Sequence, residues 1–345
     1  MALIDEIREQ PDAVARVLER EGARLDSLGR RLRAAEPALV VIAARGTSDN
    51  AALYAQYLIG ILAGLPAMLA TPSTTTLYGA PLRLGRAVAI GISQSGRSPD
   101  IVEVIEAAGR GGAPTIAITN DPASPLAKAA AEVVPLHAGE EAAVAATKTY
   151  TASLAVLARL AVALAPGGGE RAAHEALSGV PATMQEALGV DPQASELAGS
   201  MASAQRAIVL GRGVEYATAR EWALKLQELT QLFALPFSTA DFEHGPRALL
   251  EPGLPVLAVV PRGPGHEDRL ALLERVRATG ARTICLSDDP AAVASGGLRL
   301  PGSIVPWLGP LVSILPGQLL AFHLARAKGL DTERPRLISK VTLTR

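Results

Sequence analysis

Short apolar runs alternate with longer amphipathic stretches along most of the chain, a pattern that predicts strands followed by helices. Residues 3–35 carry helical periodicity, split at Gln10-Pro11. Ala38–Ala44 then reads as a buried strand and ends in the polar turn Arg45-Gly46-Thr47-Ser48-Asp49-Asn50. Ala67–Ala70 and Ala87–Ile92 are the next strand candidates. Each runs into a hydroxyl-rich segment, Thr71-Pro72-Ser73-Thr74-Thr75-Thr76 and Ser93-Gln94-Ser95-Gly96-Arg97-Ser98-Pro99-Asp100. Ser98 followed by Pro99 marks a helix start, a capping residue before proline at the first helical position. That helix runs to about Ala108, and Thr115–Thr119 is the following strand. Strands alternating with helices imply an α/β fold with a parallel, doubly wound sheet. A long apolar helix follows GEEAAVAATKTY to about Leu164. Pro166-Gly167-Gly168-Gly169 reads as a linker, and a further helical segment reaches about Leu188.

The second half repeats the first. Val40–Ser48 matches Ala207–Glu215, each a strand ending in Arg-Gly, with Gly213 lying 167 positions after Gly46. Thr115–Asn120 matches Thr283–Asp288 at an offset of 168, and Ala87–Ile92 corresponds to Pro255–Val260. Two tandem copies of one α/β unit are expected, over residues 1–190 and 191–345. Only the first copy carries hydroxyls after its strands, at Thr47, Ser48, Ser93, Ser95 and Ser98. The second has Val214, Glu215, Pro261 and Arg262 in those places.

Composition narrows the function. The chain has 345 residues, long enough for about two domains. Its net charge of -1, with no basic run, gives no basis for a nucleic-acid-binding surface. The single cysteine, Cys285, excludes an internal disulfide and reads as a buried strand residue. MALIDEIREQ lacks a signal-peptide apolar core. The apolar stretches near Leu58–Ala70 and Leu154–Ala165 are interrupted by Pro66 and Arg159, short of a bilayer span. A soluble cytoplasmic protein without membrane contact is the expectation.

Two stretches carry candidate chemistry. In REWALKLQELTQLFALPFSTADFEHGP, Glu221, Lys225 and Glu228 share one helix face, opposite an apolar stripe of Trp222, Leu226, Leu229 and Phe233. A loop should follow, closing on His244-Gly245-Pro246. Carboxylates, an ammonium and an imidazole suit proton transfer, although such a face is more often a solvated ion-pair ladder. Ser93–Ser98 sits at a strand's carboxyl end and opens a helix, the crevice where open α/β sheets bind ligands. Hydroxyls and free N–H groups there suit a phosphate; the plainer alternative is a turn with capping serines. Thr47-Ser48 at the end of the first strand favours the phosphate.

Rival motifs fail. Gly211-Arg212-Gly213 has Tyr216 where a dinucleotide fingerprint needs its third glycine, Ser93 lacks the closing glycine of a nucleophile elbow, and there is no Walker lysine motif. His137, His174, His244, His266 and His323 have no metal-ligand spacing. No metal or cofactor is expected. In the terminal DTERPRLISK, Lys340 is either a solvated tail charge or an amine able to form an imine with a sugar carbonyl.

Taken in order, RGTS, SQSGRSPD, AGEEAAVAATK, ALKLQE, EHGP and PRLISK resemble the sugar isomerase (SIS) domain family in its tandem form, from about residue 38 onward. The chain is similar to the isomerase half of glutamine–fructose-6-phosphate aminotransferases and, in SQSGRSPD and AGEEAAVAATK, closer to the stand-alone SIS-type glucosamine-6-phosphate deaminases. The resemblance implies that Ser48, Ser93, Gln94, Ser95 and Ser98 bind phosphate. It implies that Glu228 moves a proton between sugar C1 and C2 beside Lys225, and that His244, supplied by a neighbouring subunit, opens the ring. Lys340 would form an imine with the open-chain ketose, and Thr47, Val144 and Arg336 would contact substrate. A homodimer with shared active sites is implied. Ala146 in place of a serine, Phe242-Glu243 in place of Leu-Lys, and the absence of a glutaminase segment depart from the aminotransferase. The expected reaction is isomerisation and deamination of glucosamine 6-phosphate to fructose 6-phosphate and ammonia. The alternatives are a fructosamine-6-phosphate deglycase, an aminotransferase subunit fed with ammonia, or a non-catalytic sugar-phosphate sensor.

Overall fold

The computed structural model describes residues 2–167, 170–294, 296–302 and 304–342. Helices α1 (Ala2–Arg8) and α2 (Gln10–Ala34) open the chain. Then come β1 (Leu39–Ala43), α3 (Thr47–Ala63), β2 (Ala67–Leu69), α4 (Ser73–Thr76), β3 (Ala87–Ile92), α5 (Pro99–Arg110), β4 (Thr115–Thr119), α6 (Pro125–Ala129) and β5 (Glu132–Pro135). Three helices follow, α7 (Lys148–Leu164), α8 (Glu170–Ala187) and α9 (Asp191–Gly199). The second copy runs β6 (Arg206–Gly211), α10 (Glu215–Thr230), β7 (Phe233–Ser238), α11 (Thr239–Glu243), β8 (Pro255–Val259) and α12 (His266–Arg277). It ends with β9 (Arg282–Ser287), α13 (Pro290–Val293), β10 (Gly297–Arg299) and α14 (Gly309–Ala327).

Both sheets are five-stranded and wholly parallel, ordered β2-β1-β3-β4-β5 and β7-β6-β8-β9-β10. The common order bears out the sequence repeat. Parallel strands covered on both faces are apolar throughout rather than alternating. Accordingly every residue of β3 and of β8 is buried. In each sheet the strand order reverses between the first and third strands of the copy, which is where such sheets open a ligand crevice.

The chain forms two compact units, and no single cut separates them. One comprises Asp12–Glu141, Lys148–Gly179 and the residues from Ser339 onward, and holds the first sheet. The other comprises the residues up to Pro11, Ala142–Thr147 and Val180–Ile338, and holds the second sheet. In the first unit α3 lies along α7, and the core joins Val41, Ala89, Ile101, Ile105 and Leu126. In the second, α10 packs on α14. A Cβ at Gly317 would stand 3.0 Å from the ring of Trp222, so glycine is what admits the fully buried indole. Pro306–Ala327 is long and apolar enough to cross a membrane, but 94% of that window is buried as core.

The loop expected after α10 is instead strand β7 followed by the short helix α11. The apolar stripe of α10 stops at Leu229, because the helix ends at Thr230 and Gln231 turns into the left-handed region at φ 56°. Phe233 therefore sits on the edge strand β7 and is 76% exposed, whereas Trp222, Leu226 and Leu229 are buried. Of the linker Pro166–Gly169, Gly168 and Gly169 lie outside the described residues. Cys285 is buried in β9, as expected, and burial raises its thiol to about 11.

Candidate active site

In the first unit, β1 and β3 pair with Ala43 opposite Gly91. Two residues beyond that pair, Arg45 and Ser93 begin the two polar loops, so both leave the sheet at one height. The loop after β3 is fixed by its own backbone. Ser93 Oγ and Ser93 O both accept from Gly96 N at 3.1 Å, and Gln94 O accepts from Asn120 N at 3.0 Å. Gly96 has φ 62°, and a Cβ there would lie 2.1 Å from Ser124 Oγ, so only glycine closes this turn. Ser98 stands at the N-cap of α5 with Pro99 next, as expected, but its hydroxyl makes no capping bond. Gln94, Ser95 and Ser98 are half-buried, as are Thr47 and Ser48 in the first turn of α3, and Ser93 is buried. The N-cap residues of α3 and α5 make no side-chain capping bond, and the positive end of each helix dipole lies at a polar loop. Arg45 Nε donates to Asp100 Oδ2 at 2.8 Å and joins the two loops. Sequence reasoning missed that pair, although an acid in the first turn of α5 was a usable signal.

The same unit holds Lys340. Its Nζ donates to Glu141 Oε2 at 2.7 Å. Glu141, whose side chain is fully buried, also accepts from Thr149 N at 3.1 Å and Thr149 Oγ1 at 2.8 Å, at the start of α7. The solvated-tail alternative for Lys340 is therefore excluded. Glu141 was overlooked, although it lies inside AGEEAAVAATK.

The second unit gathers the α10 residues. Lys225 is 1% exposed, with Nζ 3.5 Å from Glu221 Oε1 and bonded to Glu228 Oε2. Glu221 is 0% exposed and Glu228 23%. This is not a solvated ladder. It is a buried ammonium between two carboxylates, of which Glu228 alone reaches the surface. His244 caps the C-terminus of α11, is exposed, and its ring has no hydrogen-bond partner among the described residues. Arg336 is exposed, next to Leu337 at φ 64°. Val144 is half-buried in a segment held by Glu6 Oε1, which accepts from Ala142 N at 2.5 Å and Ala143 N at 3.3 Å. Within its unit the structure thus brings Lys225 and Glu228 together; His244 makes no bond to either.

A further acid, Glu215, sits at the first turn of α10. Burial pushes it up to about 7, against hydrogen bonds from Thr218 Oγ1 at 2.6 Å and Ser313 Oγ at 2.7 Å and the charge of Arg269. Its Oε1 is buried without a partner.

Comparison with known proteins places this geometry. The SIS domain model matches residues 35–163 and 200–325. A glutamine–fructose-6-phosphate aminotransferase (isomerizing) of Thermus thermophilus is 35% identical over 98% of this chain, which spans 58% of that relative's length. The C-terminal domain of glucosamine-fructose-6-phosphate aminotransferase from Francisella tularensis superposes with a TM-score of 0.89 at 29% identity, covering 97% of this chain and 98% of that one. A glucosamine-6-phosphate deaminase from Thermotoga maritima has the same fold, with a TM-score of 0.81 and full coverage of both chains, at 20% identity. In sequence the chain is thus nearer to the aminotransferase of Thermus than to that deaminase, contrary to expectation. The chain belongs to the SIS domain family.

Proposed function

We propose that this SIS protein is an aldose–ketose isomerase of amino-sugar 6-phosphates, converting glucosamine 6-phosphate to fructose 6-phosphate and ammonia. The observation that carries the reading is the α10 cluster. A lysine buried beside two carboxylates is costly unless the arrangement serves chemistry. It holds the Glu228 carboxylate oriented, with one edge open to a ligand. In this reading Ser48, Ser93, Gln94, Ser95 and Ser98 anchor the phosphate on two helix N-termini, with Thr47, Val144 and Arg336 as further sugar contacts. His244 assists ring opening. Glu228 takes the C2 proton and returns it to C1, turning the aldose amine into a C2 imine. Water, or the amine of Lys340, then replaces ammonia. The unpartnered ring of His244 suits donation to a second copy, so the reading carries a homodimer with shared sites. Because sugar phosphates are made and consumed inside cells, it also carries a cytoplasmic setting.

A second reading is favoured by the 35% identity to an aminotransferase: the same proton transfer run toward glucosamine 6-phosphate with ammonia supplied from elsewhere. A non-catalytic sensor would have no use for the buried Lys225 pair. The test incubates the purified chain with glucosamine 6-phosphate and follows ammonia and fructose 6-phosphate together. Equal release of both supports the deaminase. Synthesis from fructose 6-phosphate and ammonium with negligible release supports the second reading. Binding without turnover in either direction would sink both and leave the sensor.

A further inference from the structure

Glu141 has no part in the reaction as described, yet it is a fully buried carboxylate in contact with one of its groups. Its side chain has 0% exposure, and each of its oxygens is fixed. Oε1 accepts from Thr149 N at 3.1 Å, and Oε2 accepts from Thr149 Oγ1 at 2.8 Å and Lys340 Nζ at 2.7 Å. Thr149 belongs to the first turn of the 17-residue helix α7, so the carboxylate also sits at the positive end of a helix dipole. Its position is therefore set by the helix and does not depend on the tail. Lys340, by contrast, lies in irregular chain near the C-terminus, flanked by exposed Ser339 and Val341. Its amine meets the carboxylate of Glu141, which the helix holds in place.

We propose that Glu141 is the positioning residue for Lys340. It holds the amine in place and accepts its proton, so that the nitrogen can add to a sugar carbonyl. The inference rests on the reading that Lys340 forms an imine with the ketose. An ammonium has no lone pair, so a proton must leave Nζ before attack. The carboxylate at 2.7 Å is placed to take it. Nζ then bonds to the carbonyl carbon, and the carbonyl oxygen becomes the hydroxyl of a carbinolamine as a proton moves from nitrogen to oxygen. Glu141 returns its proton to that hydroxyl, water leaves, and the carbon–nitrogen double bond forms. The sum is ammonium plus ketone giving protonated imine plus water, with Glu141 unchanged. The carboxylate can serve in this way because its two bonds to Thr149 persist when the ammonium contact breaks.

The test reduces the protein with borohydride in the presence of fructose 6-phosphate and maps the adduct by peptide mass, alongside sugar-phosphate affinity and kcat and KM. Wild type is expected to carry the adduct on Lys340. Lys340→Arg, which keeps the ion pair, should carry none. Glu141→Gln should trap at least tenfold more slowly, with kcat reduced and affinity within about twofold. Thr149→Val, which leaves the carboxylate in place, should fall between the two and decides the matter if Glu141→Gln does not fold. No adduct in wild type would overturn this proposal together with the Lys340 reading. A wild-type adduct formed equally fast in folded Glu141→Gln, or in Thr149→Val where that variant decides, would overturn the positioning role alone.

Discussion

Arg45 donates from Nε to Asp100 Oδ2 at 2.8 Å, joining the loop after β1 to the first turn of the helix after β3. Asp100 is 1% exposed and Arg45 50%. Asp100 also accepts from Ile101 N at 2.9 Å, so it keeps a partner and the helix dipole if the arginine is removed. Arg45→Ala should therefore cost only about 0–1 kcal/mol of stability. The two serine loops would lose their cross-link, and affinity for a sugar phosphate should fall roughly tenfold. Paired denaturation and calorimetric titration check this; unchanged affinity would remove Arg45 from the account of the crevice.

Lys225 is the residue whose loss should be felt most in the fold. Lys225→Met leaves Glu221 fully buried beside an apolar side chain, which should cost about 3–5 kcal/mol. Adding Glu221→Gln should recover a large part of that loss. Urea denaturation of the two variants measures it, and a loss below about 1 kcal/mol would mean that the cluster is solvated after all.

Glu215 gives a pH dependence of known sign. Its carboxyl is raised from 4.5 to about 7 by burial, so the folded chain keeps a proton that the unfolded chain releases. Between those values the folded state binds more protons, and stability falls as pH rises through that window. Glu215→Gln removes this slope. It should be more stable than wild type relative to pH 4 by on the order of 3 kcal/mol at pH 8. Denaturation curves at both pH values test the prediction, and parallel profiles for the two proteins would contradict it.

Gly96→Ala forces a Cβ into a φ of 62° and to 2.1 Å from Ser124 Oγ, the cap of α6. A loss of about 1–3 kcal/mol is expected, together with weaker phosphate binding as the serine turn shifts. Thermal denaturation with and without sugar phosphate reads both effects.

The strands of the sheet cores were legible because buried parallel strands are unbroken apolar runs. Ala87–Ile92 and Thr115–Thr119 fall where the pattern put them. The edge strand β7 was not legible: Pro236 interrupts FALPFS, and Phe233 and Leu235 stay exposed, so no buried pattern marks it. Lys225 and Glu228 were visible as a helix face, but burial is set by how α10 packs against α14 and the strands of its sheet, and periodicity alone could not tell a buried triad from a surface ladder. The pairing of Lys340 with Glu141 joins positions 199 apart, a contact no local spacing encodes. The compact units take short segments from distant parts of the chain, which composition does not record.

The central claim is that Glu228 carries a proton between two sugar carbons. The most direct measurement is proton NMR of fructose 6-phosphate and of glucosamine 6-phosphate in D2O with the purified protein. Wild type should introduce solvent deuterium at C1 of the ketose and C2 of the amino sugar. Glu228→Gln should bind both sugars and introduce none. Bound sugar that never exchanges with wild type, or exchange that survives in Glu228→Gln, would contradict the account.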